Sequence, residues 1–243
     1  MERQEETAMN QTFDMDSQQK QDGSGADNQQ KQGSLITDYG QITLSKNRYH
    51  HRIHLLNIIG EIEGHENLGS SSKTSKYEHI LPQLAAVEDD EDIDGLMVLL
   101  NTVGGDVEAG LAIAELISSM KKPTVSLVLG GGHSIGVPLA VSTDFSLIVP
   151  SATMTVHPIR TTGTTITAPQ TFEQMYKLQD RLISFVTKHS GIKEKKLREM
   201  MLDPGNISND MGTVLFGEEA VECGLINKTG GLSDAISHIN SLV

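Results

Sequence analysis

Two short apolar runs, each closed by glycines and followed by a helical stripe, constrain this chain more than any other feature. Gly95–Leu100 (GLMVLL) is apolar throughout and leads into Asn101–Asp106 (NTVGGD). Val125–Leu129 (VSLVL) leads into Gly130-Gly131-Gly132. A strand that is apolar at every position, not at alternate ones, must be covered on both faces, as in a parallel sheet sandwiched by helices. After the first run, Val107, Leu111, Ala114 and Ile117 fall on one helical stripe that extends to Met120. Strand, glycine turn and helix in repeated order give an α/β domain with a mostly parallel sheet.

The remaining punctuation agrees. Ile53–Gly60, Phe145–Val149, Thr153–Val156 and Leu225–Ile226 read as strands. Lys76–Val87 (with Pro82 a weak point), His133–Val141, Phe172–His189, Lys193–Met201, Glu218–Glu222 and Ser233–Leu242 read as helices. Residues 1–34 are rich in Gln, Asp, Asn, Ser and Gly with one aromatic, Phe13, and read as a disordered polar tail. Residues 35–243 form a single domain by this reading. A formal net charge of −13 argues against a polyanion-binding surface, so nucleic acid is not an expected partner. The lone Cys223 rules out an internal disulfide framework and suits a reducing compartment. No basic, then apolar, leader is visible, and Val125–Val141 is broken by glycines, His133 and Pro138. The expectation is a cytoplasmic protein without stable membrane insertion.

Gly132-His133-Ser134-Ile135-Gly136 is a G-x-S-x-G pentapeptide between a strand and a helix. Its glycines permit a sharp turn that projects the Ser134 hydroxyl. The N–H of Ile135 then sits at a helix start, where an oxyanion is favoured. The competing reading is a glycine turn with a capping serine. Gly104-Gly105 opens another helix after another strand, so both turns should share the carboxyl edge of the sheet. The glycine spacing misses a dinucleotide fingerprint, and no phosphate-loop Gly-Lys-Ser/Thr follows. A serine needs a base, and His157, at the end of Thr153–Val156, is placed to serve. His133 adjoins the serine but should face away from it, in a structural role. His50, His51 and His54 lack the Cys or carboxylate that would complete a metal site. His189 reads as a helix C-terminal cap and His238 as filler in the last helix.

These residues resemble the ClpP serine peptidases. The resemblance rests on Leu99–Gly105, Gly130–Gly136, Val149–His157, the helix Gln179–Gly191 and the stretch Glu218 to Ile226. It runs from about Ile53 to Gly231, and Gly105 and Ser134 are spaced as in that family without a gap. The polar leader and divergent serine turn are closer to its translocation-enhancing branch than to the housekeeping subunit. The resemblance implies a ClpP/crotonase-like fold with a long protruding handle helix, here Phe172–His189. It implies Ser134 as nucleophile, His157 as general base, and the N–H groups of Gly105 and Ile135 as oxyanion hole. Asp210 is the implied orienting acid, with Asp203 and Asn209 as other candidates. No cofactor or metal is implied. It implies a homo-oligomer of one ring or two, enclosing the serines in a chamber that admits unfolded or short polypeptides, and an ATPase partner. Val103, Ile135 and Pro158-Ile159-Arg160 depart from the family's usual residues.

Three other readings stay open at this point. An α/β-hydrolase esterase shares the serine pentapeptide but would use Asp210 and His238. A crotonase-like enzyme shares the paired glycine turns but would need Lys or Arg for the phosphates of coenzyme A. A catalytically inactive relative would act as a scaffold, with a role in protein export.

Overall fold

The structure is a computed structural model that describes residues 42–44, 50–66, 68–69, 71–160, 168–204 and 211–243. The polar tail expected over residues 1–34 lies outside them. The chain divides into residues 1–43 and 44–243, and the fold below is that of the second unit. A short strand, β1 (Ile42–Leu44), falls at the division.

Strands β2 (Ile53–Glu63), β3 (Thr74–Lys76), β4 (Gly95–Gly105), β5 (Thr124–Gly132), β6 (Phe145–Ile148) and β9 (Lys228–Thr229) form the sheet. Their order is β3-β2-β4-β5-β6-β9, and every neighbouring pair is parallel. Leu96, Val98 and Leu100 of β4 enter one buried cluster with helices α1 (Tyr77–Asp89), α2 (Val107–Ser118) and α3 (Gly136–Val141). Met97, between them, enters another with Val125, Leu127 and Leu147, closed by Ala235 and Ile239 of α7 (Leu232–Leu242). Both faces are therefore covered, which explains why the run shows no polar alternation. Each such side chain contributes about 1.5–3 kcal/mol by leaving water.

The sheet departs from the sequence reading at four points. First, β4 does not stop at Leu100: Asn101–Gly105 stays in the sheet, with register shifts at Gly60/Glu61 and Leu100/Thr102. The Thr102 hydroxyl donates to the Gly60 carbonyl (2.6 Å) and accepts from Gly104 N–H (3.1 Å), so the bend is built inside the strand. Second, α3 begins at Gly136 and not at His133. Third, Leu225 and Ile226 are buried but not a strand, because both N–H groups donate to the Ala220 carbonyl. Fourth, β7 (Thr153–Val156) pairs antiparallel with β8 (Thr213–Phe216) and touches β5 at Gly131↔Thr153. Pro82 does not break α1, whose Ile80, Leu84 and Val87 are anchored in the core on both sides of it.

The long helix α4 spans Ala168–Lys188, and α5 spans Glu194–Met201. Burial along α4 sets in at Ile183, followed by Phe185 and Val186, whereas Phe172 and Tyr176 in its first half are more than half exposed. Arg181 of α4 pairs with Glu108 of α2 at 2.8 Å. Helix α6 (Gly217–Glu222) connects β8 to the end of the sheet. No helix among the described residues is long and apolar enough to cross a membrane.

Candidate active site

The carboxyl ends of β4 and β5 bring the two glycine turns into contact. Gly104 has φ +98 and Gly105 φ +146, conformations that a side chain would strain. A Cβ on Gly104 would lie 2.7 Å from the Ser134 Cβ and 3.0 Å from the His133 carbonyl oxygen. On Gly105 it would lie 2.3 Å from the Ile62 carbonyl oxygen of β2. Gly104 is glycine because the serine turn stands against it, and Gly105 because the backbone of β2 does.

Ser134 itself has φ +56, in the left-handed region that costs a non-glycine residue about 1–2 kcal/mol. The turn is held in that shape by its surroundings. Ser134 N–H donates to the Thr155 carbonyl (2.8 Å), His133 N–H to the Thr102 carbonyl (3.2 Å), and Gly136 N–H to the His133 carbonyl (2.8 Å). Strain over-determined by neighbours is a mark of functional turns. Ile135 is fully buried, its Cγ1 at 2.3 Å from where a Cβ on Gly110 of α2 would stand. That packing fixes its peptide at the first turn of α3, where N–H groups lack intrahelical acceptors.

His157 follows β7 directly, so the same strand that bonds the serine turn carries the imidazole. Its Nδ1 is 2.7 Å from the Pro158 carbonyl oxygen. A carbonyl only accepts, so Nδ1 carries the proton and Nε2 is the basic nitrogen. Ser134, His157 and Gly105 line one cavity of about 130 Å³, walled by Val107, Val137, Leu182, Val186 and Met201. Ile159 and Arg160 also line it; the sequence reading noted them only as departures. Their signal was adjacency to His157, since a residue next to a strand-end base borders the same cleft.

The other candidates fall elsewhere. Asp210 and Asn209 lie outside the described residues. Asp203 is half-buried after α5, and its carbonyl accepts from Gly212 N–H (2.8 Å). The His133 Nδ1 is 2.8 Å from the Thr155 hydroxyl, and burial, with His157 as a lesser cause, lowers its pKa. His51 contacts Asn240 and His54 contacts Gln83 near the start of β2, at the opposite edge of the sheet. His189, expected as a cap, instead stacks on Phe185 (4.3 Å between centroids), and its Nε2 has no hydrogen-bond partner among the described residues. His238 stacks on Phe145 at the start of β6. It therefore sits at the end of the sheet remote from Ser134, which removes the Ser134–Asp210–His238 arrangement of an α/β-hydrolase.

The chain is similar to several known proteins. The chain is 55% identical over 191 residues to the translocation-enhancing protein TepA of Halalkalibacterium halodurans, covering 79% of this chain and 75% of that protein. It is 25% identical over 166 residues to the ATP-dependent Clp protease proteolytic subunit of Deinococcus radiodurans, covering 66% of this chain and 77% of that protein. In structure it resembles a ClpP1 mutant from Listeria monocytogenes, with a TM-score of 0.59 and 18% identity, covering 75% of this chain and 94% of the other. That likeness supports the expected ClpP-like fold. The Clp protease signature matches residues 55–231. The chain belongs to the Clp protease family.

Proposed function

We propose that this protein is a serine endopeptidase subunit with Ser134 as nucleophile and His157 as general base. The observation that carries the reading is the contact between the Gly104-Gly105 turn and a left-handed Ser134, with His157 in the same cavity. In the mechanism, the Ser134 hydroxyl attacks a peptide carbonyl while Nε2 of His157 takes its proton. The imidazolium then returns the proton to the leaving amine, and water repeats the sequence on the acyl-enzyme. The N–H groups of Gly105 and Ile135 receive the oxyanion, and a donor in that position is worth about 10²–10³ in rate. Asp210 is the proposed acid behind His157. Its task would be mainly to stabilise positive charge, because the Pro158 carbonyl already selects the Nδ1–H tautomer.

Membership of the Clp protease family supports unfolded or short polypeptides as substrates and assembly into a chambered homo-oligomer served by an ATPase partner. The likeness to a protein named translocation-enhancing supports a link to protein export. Fluorophosphonate labelling tests the core of the proposal, since only an activated serine reacts. Wild type should be labelled at Ser134, and Ser134→Ala and His157→Ala should not. An unlabelled wild type with normal folding would favour the inactive-scaffold reading.

A further inference from the structure

The residue before the serine links the two halves of the proposed site. His133 N–H donates to the Thr102 carbonyl on β4, and its Nδ1 meets the Thr155 hydroxyl on β7 at 2.8 Å. The next residue, Ser134, repeats the connection through its own N–H to the Thr155 carbonyl. Thr155 and His157 are two residues apart along extended backbone, so their side chains leave the same face. The ring of His133 thus lies on the side of β7 from which His157 projects. Room for it exists because residue 131 is glycine: a Cβ there would stand 2.7 Å from His133 Nε2. Gly131 is in turn held by its N–H to the Asn101 side-chain oxygen (2.9 Å).

We propose that His133 is a positioning residue for His157: through Thr155 it fixes the register of β7 against the serine turn, and it does so as a neutral imidazole. This rests on the peptidase reading above. Neutrality matters because His157 becomes an imidazolium during proton transfer, and a second cation facing it would oppose that step. Burial holds His133 below the usual imidazole range, and the charge of His157 pushes it in the same direction. Among the described residues, His157 is the titratable group acting on His133. Its other partners, the Thr102 carbonyl and the Thr155 hydroxyl, carry no charge. Acidification would then disable the site twice, once at each ring.

Variants at two positions separate the bond from the charge. His133→Ala and Thr155→Val each remove the side-chain bond and should lower kcat at least tenfold with KM within about twofold. The double variant should be no slower than the worse single one, because both changes break the same link. His133→Gln can still meet the Thr155 hydroxyl and should recover at least a third of wild-type kcat. Its acid limb should fall with a slope of one proton, where the wild type approaches two. Wild-type kcat in Thr155→Val, or additive losses in the double variant, would overturn the proposal. NMR titration of the His133 ring supplies a readout independent of catalysis: its pKa should rise in His157→Gln, where the facing charge is gone, and an unchanged titration overturns the proposal. Absent fluorophosphonate labelling of wild type would instead sink the peptidase reading and leave that titration to decide.

Discussion

Gly104→Ala tests the contact on which the site depends. Two costs follow from the structure. At φ +98 an alanine pays the left-handed penalty, about 1–2 kcal/mol. Its Cβ also begins 2.7 Å from the Ser134 Cβ, where carbon atoms settle at about 3.5–4.0 Å. One turn must therefore retreat by nearly an ångström. The neighbour is not a flexible side-chain tip but a turn bonded to Thr102, Thr155 and itself, so overpacking should add about 1–3 kcal/mol. A total of about 2–5 kcal/mol is a large part of the 5–15 kcal/mol that stabilises a typical domain. Displacing the serine by that distance should also cost about 10² in kcat/KM. Urea unfolding followed by circular dichroism measures the first effect, and peptide hydrolysis the second. Gly231→Ala is the control, since φ there is −108 and nothing lies within 4 Å of the added carbon. It should be neutral to slightly stabilising. A Gly104→Ala protein with an unchanged urea midpoint would refute the claim that contact with the serine turn dictates this glycine.

Further outcomes follow from the same geometry. Ser134→Gly should raise stability by about 1 kcal/mol by relieving the positive φ, while abolishing fluorophosphonate labelling; a lowered unfolding midpoint would contradict the strain. Asp210→Asn should lower kcat by about 10², the lower end for triad acids, because the Pro158 carbonyl retains the tautomer; Asp203→Asn should cost less than about threefold. A reversal between the two moves the acid to Asp203. Burial lowers the pKa of His54, His133 and His189 in the folded state, so the unfolded chain binds their protons first. Stability should therefore be complete above the ordinary imidazole value of about 6.5 and decline as pH falls below it; equal urea midpoints at pH 7.5 and 5.5 would rule this out.

What the sequence disclosed about this fold was its local chemistry. Gly95–Leu100 announced a doubly covered sheet because no polar residue interrupts it, and Val125–Leu129 because Ser126 alone does. The serine pentapeptide marked the turn. What stayed hidden depended on partners distant in the chain. The segment Asn101–Gly105 looked like a loop by composition, and only Thr102 bonding to Gly60 reveals why it continues as strand. His133 looked helical and structural by spacing, since nothing local announces Thr155 on another strand. Leu225–Ile226 has strand-like residues, but both amides are captured by Ala220. His189 was read as a cap from its place at a helix end, and Phe185 one turn back took the ring instead.

The departures from the usual residues of the family sort by where they stand. Ile135 is fully buried behind the serine turn, and its branched side chain presses on Gly110. A change there alters how firmly the peptide of the proposed oxyanion donor is held, not what the cleft touches. Val103 is 66% exposed at the end of β4, and Ile159 and Arg160 line the cavity itself. Changes at these positions meet whatever enters. The Ile159 N–H is further tied to Gln179 of the long helix (3.2 Å), so α4 sets where this rim lies. The interior departure thus leaves the proposed chemistry in place, whereas the rim departures redraw the surface presented to a substrate. Arg160 adds a cationic side chain to a wall that is otherwise mostly apolar. If that wall governs selection, Arg160→Gln should change the ranking of peptide substrates through KM and leave fluorophosphonate labelling of Ser134 intact. An unchanged ranking would place selection elsewhere.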